Sequence, residues 1–369
     1  MIAVNRLSQL LTWGLTSLSY LTPAGLAANL SPVAMGLSRD SSPTDVSSPA
    51  SPVDPPKRFA DWCQQRDRLP ETTQWTLEVM LRRADRQDCL EAETRLQEME
   101  DLNLSAQSLS DLRPLASLTH LTRLDLSVNE IEDISPLQEL TQLEEVLLSI
   151  NEIEDISPLE SLGNLRLLNL DRNQIENISP LQDLENLRVL FLNQNNIDDI
   201  SALQNLEELR FLFLNENQIE DISSLTGLVN LQTLSLNQNQ IEDVSPLGPL
   251  VEMYELHLDY NQISDLNGLQ GMTGLNELYL SGNQIRNIEP LAALNALTEL
   301  YIRDNEIQDI SSLPQLASLN WVDFEGNEIL DISPLREMTT LVRVILRDNP
   351  VTPSTCPVDP SICQFESDV

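Results

Sequence analysis

The sequence predicts an α/β solenoid. Near-identical coils stack so that their short strands form one parallel sheet on a concave face. The convex side is made of 3₁₀ or irregular turns, and a short helical cap closes the N-terminal end. Three observations lead there. Asparagine recurs at 129, 151, 173, 195, 217, 239, 261, 283, 305, 327 and 349, an unbroken 22-residue interval, with Gln107 in the equivalent place of the first unit. Each unit carries Leu-x-Leu just before that asparagine, as in Leu124-Asp125-Leu126, and a period of two places both leucines on one face of a strand. After the asparagine the apolar residues come every third position, as in Ile131, Ile134, Leu137 and Leu140, which matches the three residues per turn of a 3₁₀ helix.

Along the chain, the first element expected is a secretory signal over 1–28. Arg6 precedes a mostly apolar run from Leu7 to Leu21, and Pro23 to Ala28 is rich in small residues, so cleavage is expected near Ala27 or Ala28. Residues 29–57 are dominated by Ser, Pro, Asp and Val and cannot bury a core, so they read as a disordered linker. Residues 58–98 read as the helical cap. One helix opens at Pro70-Glu71 with Trp75, Leu77, Val79, Met80, Leu81 and Ala84 as its apolar residues. A second follows Asp88 with Cys89, Ala92, Leu96 and Met99 at spacings of three and four. A solenoid needs such a cap, because its first coil otherwise exposes the end of the core to water.

Residues 99–349 hold about twelve units, which at roughly 4.8 Å per strand give an inner face about 55 Å long. No unit can bury its own leucines; stacking does that. Ser-Pro pairs at 135–136, 157–158, 179–180, 245–246 and 333–334 mark the start of the convex turn, with serine expected as the cap and proline in the first turn. The asparagine amide carries donors and an acceptor for backbone groups orphaned in the turn, so these residues are read as a structural ladder. The last segment, 350–369, reads as a C-terminal cap.

All four cysteines lie outside the repeats, and four cysteines allow three pairings. The 7-residue gap at the C-terminal end favours Cys356–Cys363, leaving Cys63–Cys89 to staple the N-terminal cap. Both bonds require an oxidising compartment.

The pattern Leu-x-x-Leu-x-Leu-x-x-Asn-x-Ile-x-x-Ile-Ser-Pro-Leu resembles the 22-residue class of bacterial internalin-like leucine-rich-repeat proteins over residues 99–349. The resemblance implies a right-handed leucine-rich-repeat horseshoe, secreted, periplasmic or held at the cell surface, that recognises proteins or glycans on its concave side. The chain departs from Gram-positive members in lacking an immunoglobulin-like module and a wall-sorting motif, and in carrying a helical, cysteine-containing cap.

Strand alternation assigns the concave residues. The middle position of Leu-x-Leu gives Asn103, Asp125, Leu147, Asn169, Phe191, Phe213, Ser235, His257, Tyr279, Tyr301, Asp323 and Ile345. Two residues earlier lie Asp101, Arg123, Glu145, Leu167, Val189, Phe211, Thr233, Glu255, Glu277, Glu299, Trp321 and Arg343. Aromatic residues are only 4% of the chain, yet Phe191, Phe211, Phe213, Tyr279, Tyr301 and Trp321 fall in these two columns. Solvent-facing aromatic clusters mark recognition surfaces. Two zones emerge: an apolar patch of Leu147, Leu167, Val189, Phe191, Phe211 and Phe213, and an acidic column of Glu255, Glu277 and Glu299 beside His257, Tyr279, Tyr301 and Trp321.

Charge and chemistry narrow the function further. Asp and Glu number 58 against 21 Lys and Arg, a net charge of −37, which repels nucleic acid and anionic membranes. Acidic pairs such as Glu132-Asp133, Glu154-Asp155, Asp198-Asp199, Glu220-Asp221 and Glu242-Asp243 stack along one edge and read as a solvated edge rather than calcium sites, since no glycine-aspartate repeat accompanies them. Of the two histidines, His120 reads as a surface turn residue and His257 faces the concave side without a nucleophile. No phosphate-cradling glycine loop or zinc spacing occurs, and no cofactor is called for. The expected function is a monomeric, non-catalytic, secreted binding module for a protein or glycan. The alternatives are an envelope scaffold or, were the N-terminus not a signal, an intracellular phosphatase-regulator type.

Overall fold

The computed structural model describes residues 58–352 and 355–366. The expected signal (1–28) and linker (29–57) lie outside the described residues. Within the described unit, thirteen strands form a single parallel sheet in strict chain order, β1 to β13. Strands β1 (Asp101–Asn103), β2 (Arg123–Asp125), β3 (Glu145–Leu147), β4 (Leu167–Asn169), β5 (Val189–Phe191) and β6 (Phe211–Phe213) are followed by β7 (Thr233–Ser235), β8 (Glu255–His257), β9 (Glu277–Tyr279), β10 (Glu299–Tyr301), β11 (Trp321–Asp323) and β12 (Arg343–Ile345). Register is fixed at one repeat: Asp101 pairs with Arg123, and Phe191 with Phe213. The architecture is the leucine-rich-repeat horseshoe that the repeat pattern predicts.

The leucine spine is sealed. Leu124, Leu126, Ile131, Ile134, Leu137, Leu140 and Leu143 of one coil are each at most 1% exposed, and later coils repeat the pattern, loosening to 6% at Ile332, Met338 and Leu341 near the C-terminal end. Convex 3₁₀ turns run from Arg113–Leu115 to Ser333–Glu337. Serine, expected from the Ser-Pro pairs to be their cap, is not. The side chain two residues before the N1 position does that work: Asp133 Oδ1 accepts from Ser135 N (2.8 Å), Asp221 from Ser223 N (2.8 Å), and Asn177 from Ser179 N (2.9 Å). The second member of each acidic pair is therefore a turn-closing residue. The backbone and hydroxyl donors of Ser223 hold the Asp221 carboxyl below its ordinary value.

The asparagine ladder is realised at every coil. Asn217 Nδ2 donates to Leu192 O (2.9 Å) in the preceding coil and to Leu214 O (3.1 Å) in its own, while Oδ1 accepts from Ile197 N (3.1 Å). Just before each asparagine the chain leaves the strand through a left-handed residue, from Val128 (φ 60°) to Asp348 (φ 54°). At Gly282 (φ 68°) a Cβ would come 2.5 Å from the ring of Tyr260, so a larger residue there would have to displace that exposed ring. Gln107, with no earlier coil to bond, turns its amide back to Ser105 O and Ala106 O.

Both ends are covered. The N-terminal cap has three helices where two were expected: α1 (Phe59–Gln64), α2 (Glu71–Ala84) and α3 (Cys89–Gln97). The Cys63–Cys89 bond joins α1 to the start of α3, where Asp88 caps the N–H groups of Leu90 and Glu91. Phe59, Leu77, Met80 and Leu96 are fully buried against the first coils. Trp75, expected on the apolar face, is 38% exposed and donates from Nε1 to Gln107 O. His120 lies in a turn, as expected, but is half-buried there: its Nε2 donates to Leu96 O (3.1 Å) and Met99 O (2.9 Å), stitching α3 to the solenoid. At the other end, the Cys356–Cys363 bond forms, and Cys363–Gln364 add β13 beside β12, an extension the repeat did not foretell.

Candidate functional site

The solvent face of the sheet is built from three columns of side chains, because residues i, i+2 and i+4 across each strand and its exit point the same way. The apolar patch spans β3 to β6. Phe191 and Phe213, paired in register, stack with ring centroids 4.7 Å apart and planes 5° from parallel. That separation is the strand spacing itself, so the backbone sets the stacking. Leu147, Val189 and Phe211 are half-buried around them. Leu167 departs from the expectation: it is 7% exposed, shut in by the neighbours flanking it, and offers little surface.

The second zone spans β8 to β10. His257 stacks on Tyr279 (4.1 Å, 10°) and Tyr279 on Tyr301 (4.6 Å, 2°), a continuous pile of three rings. Glu255, Glu277 and Glu299 form the adjacent column in register. Each ring is tethered to the glutamate of its own strand: His257 Nε2 donates to Glu255 Oε1 (2.8 Å), Tyr279 Oη to Glu277 Oε2 (3.0 Å), and Tyr301 Oη to Glu299 Oε2 (2.7 Å). Burial, reinforced by the adjacent glutamates, pushes both tyrosine hydroxyls up, so they stay protonated and donating. Trp321 stands apart from this pile: it sits opposite Glu299 in the other column, and the Arg343 guanidinium lies over its ring at 5.0 Å. Between the zones lie Thr233 and Ser235, only 8% and 4% exposed.

The third column escaped the sequence reading. Two residues before each ladder asparagine, short polar side chains link consecutive coils: Asp171 Oδ1 accepts from Asn193 N (2.7 Å), Asn193 Oδ1 from Asn215 N (2.8 Å), Asn215 Oδ1 from Asn237 N (2.8 Å), Asn237 Oδ1 from Asp259 N (2.7 Å), and Asp259 Oδ1 from Ser281 N (2.6 Å). The signal was a recurrence of Asp, Asn or Ser at 22-residue intervals that resembled ordinary turn composition. Desolvation pushes the Asp171 carboxyl up to about 6 and raises that of Asp259. Toward the C-terminal end the column changes to Arg303, Glu325 and Arg347, and Glu325 accepts both arginines. Among the described residues, no group of three or more His, Cys, Asp or Glu is placed to hold a metal ion.

Known proteins place this geometry in a family. Family models described as leucine-rich repeats match the chain, one in overlapping windows from 163–205 to 273–315 and another over 117–134. No curated protein matches the chain. The crystal structure of the internalin InlF from Listeria monocytogenes is 34% identical, with a TM-score of 0.70 over 74% of this chain and 81% of that one. The functional domain of InlJ from the same organism, described as including a cysteine ladder, has a TM-score of 0.60 at 18% identity over 81% of this chain and 72% of that one. A plant peptide hormone receptor, RGFR1 in complex with RGF2, shares the fold at 18% identity and a TM-score of 0.57, over 70% of this chain and 49% of that one. On the repeat pattern, the sheet and the InlF identity together, the chain belongs to the internalin-like leucine-rich-repeat proteins.

Proposed function

We propose that the chain is a secreted or surface-exposed, non-catalytic module that binds a protein partner on its concave face. The observation carrying this is the pair of ring stacks, Phe191–Phe213 and His257–Tyr279–Tyr301, held on a sheet face that no other element of the described unit packs against. Aromatic side chains preordered by their neighbours lose little entropy on binding, which is what makes them anchors. The two disulfides support an oxidising location, and no helix among the described residues is long and apolar enough to cross a membrane. The RGFR1 complex supports a protein ligand by showing the same fold with a peptide hormone bound. His257 donates to Glu255, while the hydroxyl of Ser235, its register neighbour on β7, donates to Asn215 instead of His257, which favours recognition over catalysis.

The Phe191→Ala, Phe213→Ala double variant tests this. Both rings are half-buried on the surface side of the sheet, so the variant is expected to fold with the circular dichroism of the parent. Loss of two anchors worth about 1 kcal/mol or more each is expected to cut recovery of the specific partner at least ~10-fold in quantitative pulldowns from envelope and medium. Unchanged recovery of every captured protein would remove the patch from the binding face.

A further inference from the structure

The acidic–aromatic zone says which partner chemistry it accepts. The arginines on this sheet face are matched internally. Arg123 lies 2.9 Å from Glu145 and 3.9 Å from Asp101, Arg303 lies 3.1 Å from Glu325, and Arg343 covers Trp321. Glu255, Glu277 and Glu299 differ. They stand directly opposite one another in register, at roughly 4.8 Å intervals where like charges repel, and no Lys or Arg among the described residues pairs with any of them.

Their donors are all of one kind. Each carboxylate accepts with one oxygen from the ring of its own strand, its other oxygen takes no hydrogen bond among the described residues, and the tyrosine hydrogens and the His257 Nε2 hydrogen are consumed within the zone. What remains for a partner is hydrogen-bond acceptors and negative charge. Most ring faces are likewise spent on each other: both faces of Tyr279 are covered, by His257 and by Tyr301, which leaves only the outer faces of the two end rings. A sugar, which uses ring faces and both donors and acceptors, finds little here. A cation bringing several N–H donors finds all it needs.

We propose, resting on the protein-binding reading above, that the Glu255–Glu277–Glu299 column with its His257–Tyr279–Tyr301 backing is the docking site for a cationic segment of the partner protein, whose arginine or lysine side chains neutralise the column. Charge complementarity commits the site to that occupant. The Phe191–Phe213 patch, whose nearer edge lies two strands away at about 10 Å, takes the apolar side chains of the same partner.

The test must separate this column from the general field of a chain with net charge −37. Two triple variants remove the same charge. One is Glu255→Gln, Glu277→Gln, Glu299→Gln, in which the amide oxygen still accepts from His257, Tyr279 and Tyr301. The other is Glu154→Gln, Glu220→Gln, Glu242→Gln, all exposed on the acidic edge. The probe is a fluorescein-labelled hexa-arginine peptide titrated by anisotropy at 0.15 M salt, with a panel of neutral oligosaccharides as competitors. The concave triple is expected to weaken peptide binding at least 10-fold and the edge triple less than 2-fold, with no competition by sugar. Equal weakening in both triples, or displacement of the peptide by an oligosaccharide, overturns the proposal. If either occurs while the Phe191→Ala, Phe213→Ala variant still loses its partner, the binding face stands and only its cationic ligand is wrong. A melting temperature for the concave triple at or above the parent's shows that lost binding is not lost folding.

Discussion

Replacing Asn217 by alanine is expected to destabilise the protein by about 3 kcal/mol, more than any surface substitution in the repeats. The side chain is 9% exposed and serves two coils at once. Its removal strands the N–H of Ile197 in the interior, at about 1–3 kcal/mol, and takes one of two amide donors from each of the carbonyls of Leu192 and Leu214, which keep Asn195 and Asn239, at about 1 kcal/mol each. Part of that cost is recovered if water enters the vacated space, which sets the expected value below the simple sum. Because coils interact only with their neighbours, the break should also divide the array. Urea unfolding is expected to show a lower midpoint together with a shallower transition, as the coils on either side of 217 begin to melt separately. A loss under 1 kcal/mol with an unchanged slope would mean that the ladder follows the coil geometry instead of enforcing it.

The opposite sign is expected at Asp171. Its Oδ1 accepts from Asn193 N just as the asparagine side chains at 193, 215 and 237 do one coil further on, yet it carries a charge that they do not. Desolvation raises its carboxyl from 3.8 to about 6, with the N–H donor of Asn193 and the charge of Arg172 opposing that rise only in part. In the unfolded chain the group titrates near 4. Below that pH both states are protonated and the folded state has its full stability. As the pH rises through 6 the folded carboxyl is forced to ionise in a poor environment, and stability is lost. Asp171→Asn keeps the acceptor and removes that penalty, so it should stabilise the fold at pH 7.5 by about 2 kcal/mol, from ~1.4 kcal/mol per pH unit discounted for partial solvent contact. At pH 4 the two proteins should melt together. A gain of equal size at both pH values would assign the effect to packing and not to charge.

These two sites show unequal legibility. Asn217 announces itself, because an amide repeated at an interval that never slips has a backbone function in every coil. The concave columns were readable for a similar reason: alternation along Leu-x-Leu fixes which side chains leave the core, and Phe191, Tyr279 and Tyr301 are where that rule puts them. Asp171 was hidden, since its column mixes Asp, Asn and Ser and its partner is 22 residues away. Leu167 was misjudged because burial across a sheet depends on the bulk of strands on either side, which a single strand's pattern does not contain. The α1 helix was missed because Phe59–Gln64 is too short to show a period, and β13 because two residues beside a cysteine carry no strand signal. Ring orientation in the His257–Tyr279–Tyr301 pile follows from the hydrogen bonds to Glu255, Glu277 and Glu299, which only the three-dimensional register supplies.

The fixed one-repeat register has a consequence for how such a surface changes over time. Any excision of 22 residues joins chain ends that already share the same conformation, and each surviving amide meets a carbonyl equivalent to the one it left. Removing the coil that carries Thr233 and Ser235 would bring Phe213 directly beside His257. The gap between a greasy anchor and a charged one is thus quantised in steps of about 4.8 Å. Unequal recombination within the gene can tune that gap like the teeth of a ratchet, without redesigning a single coil.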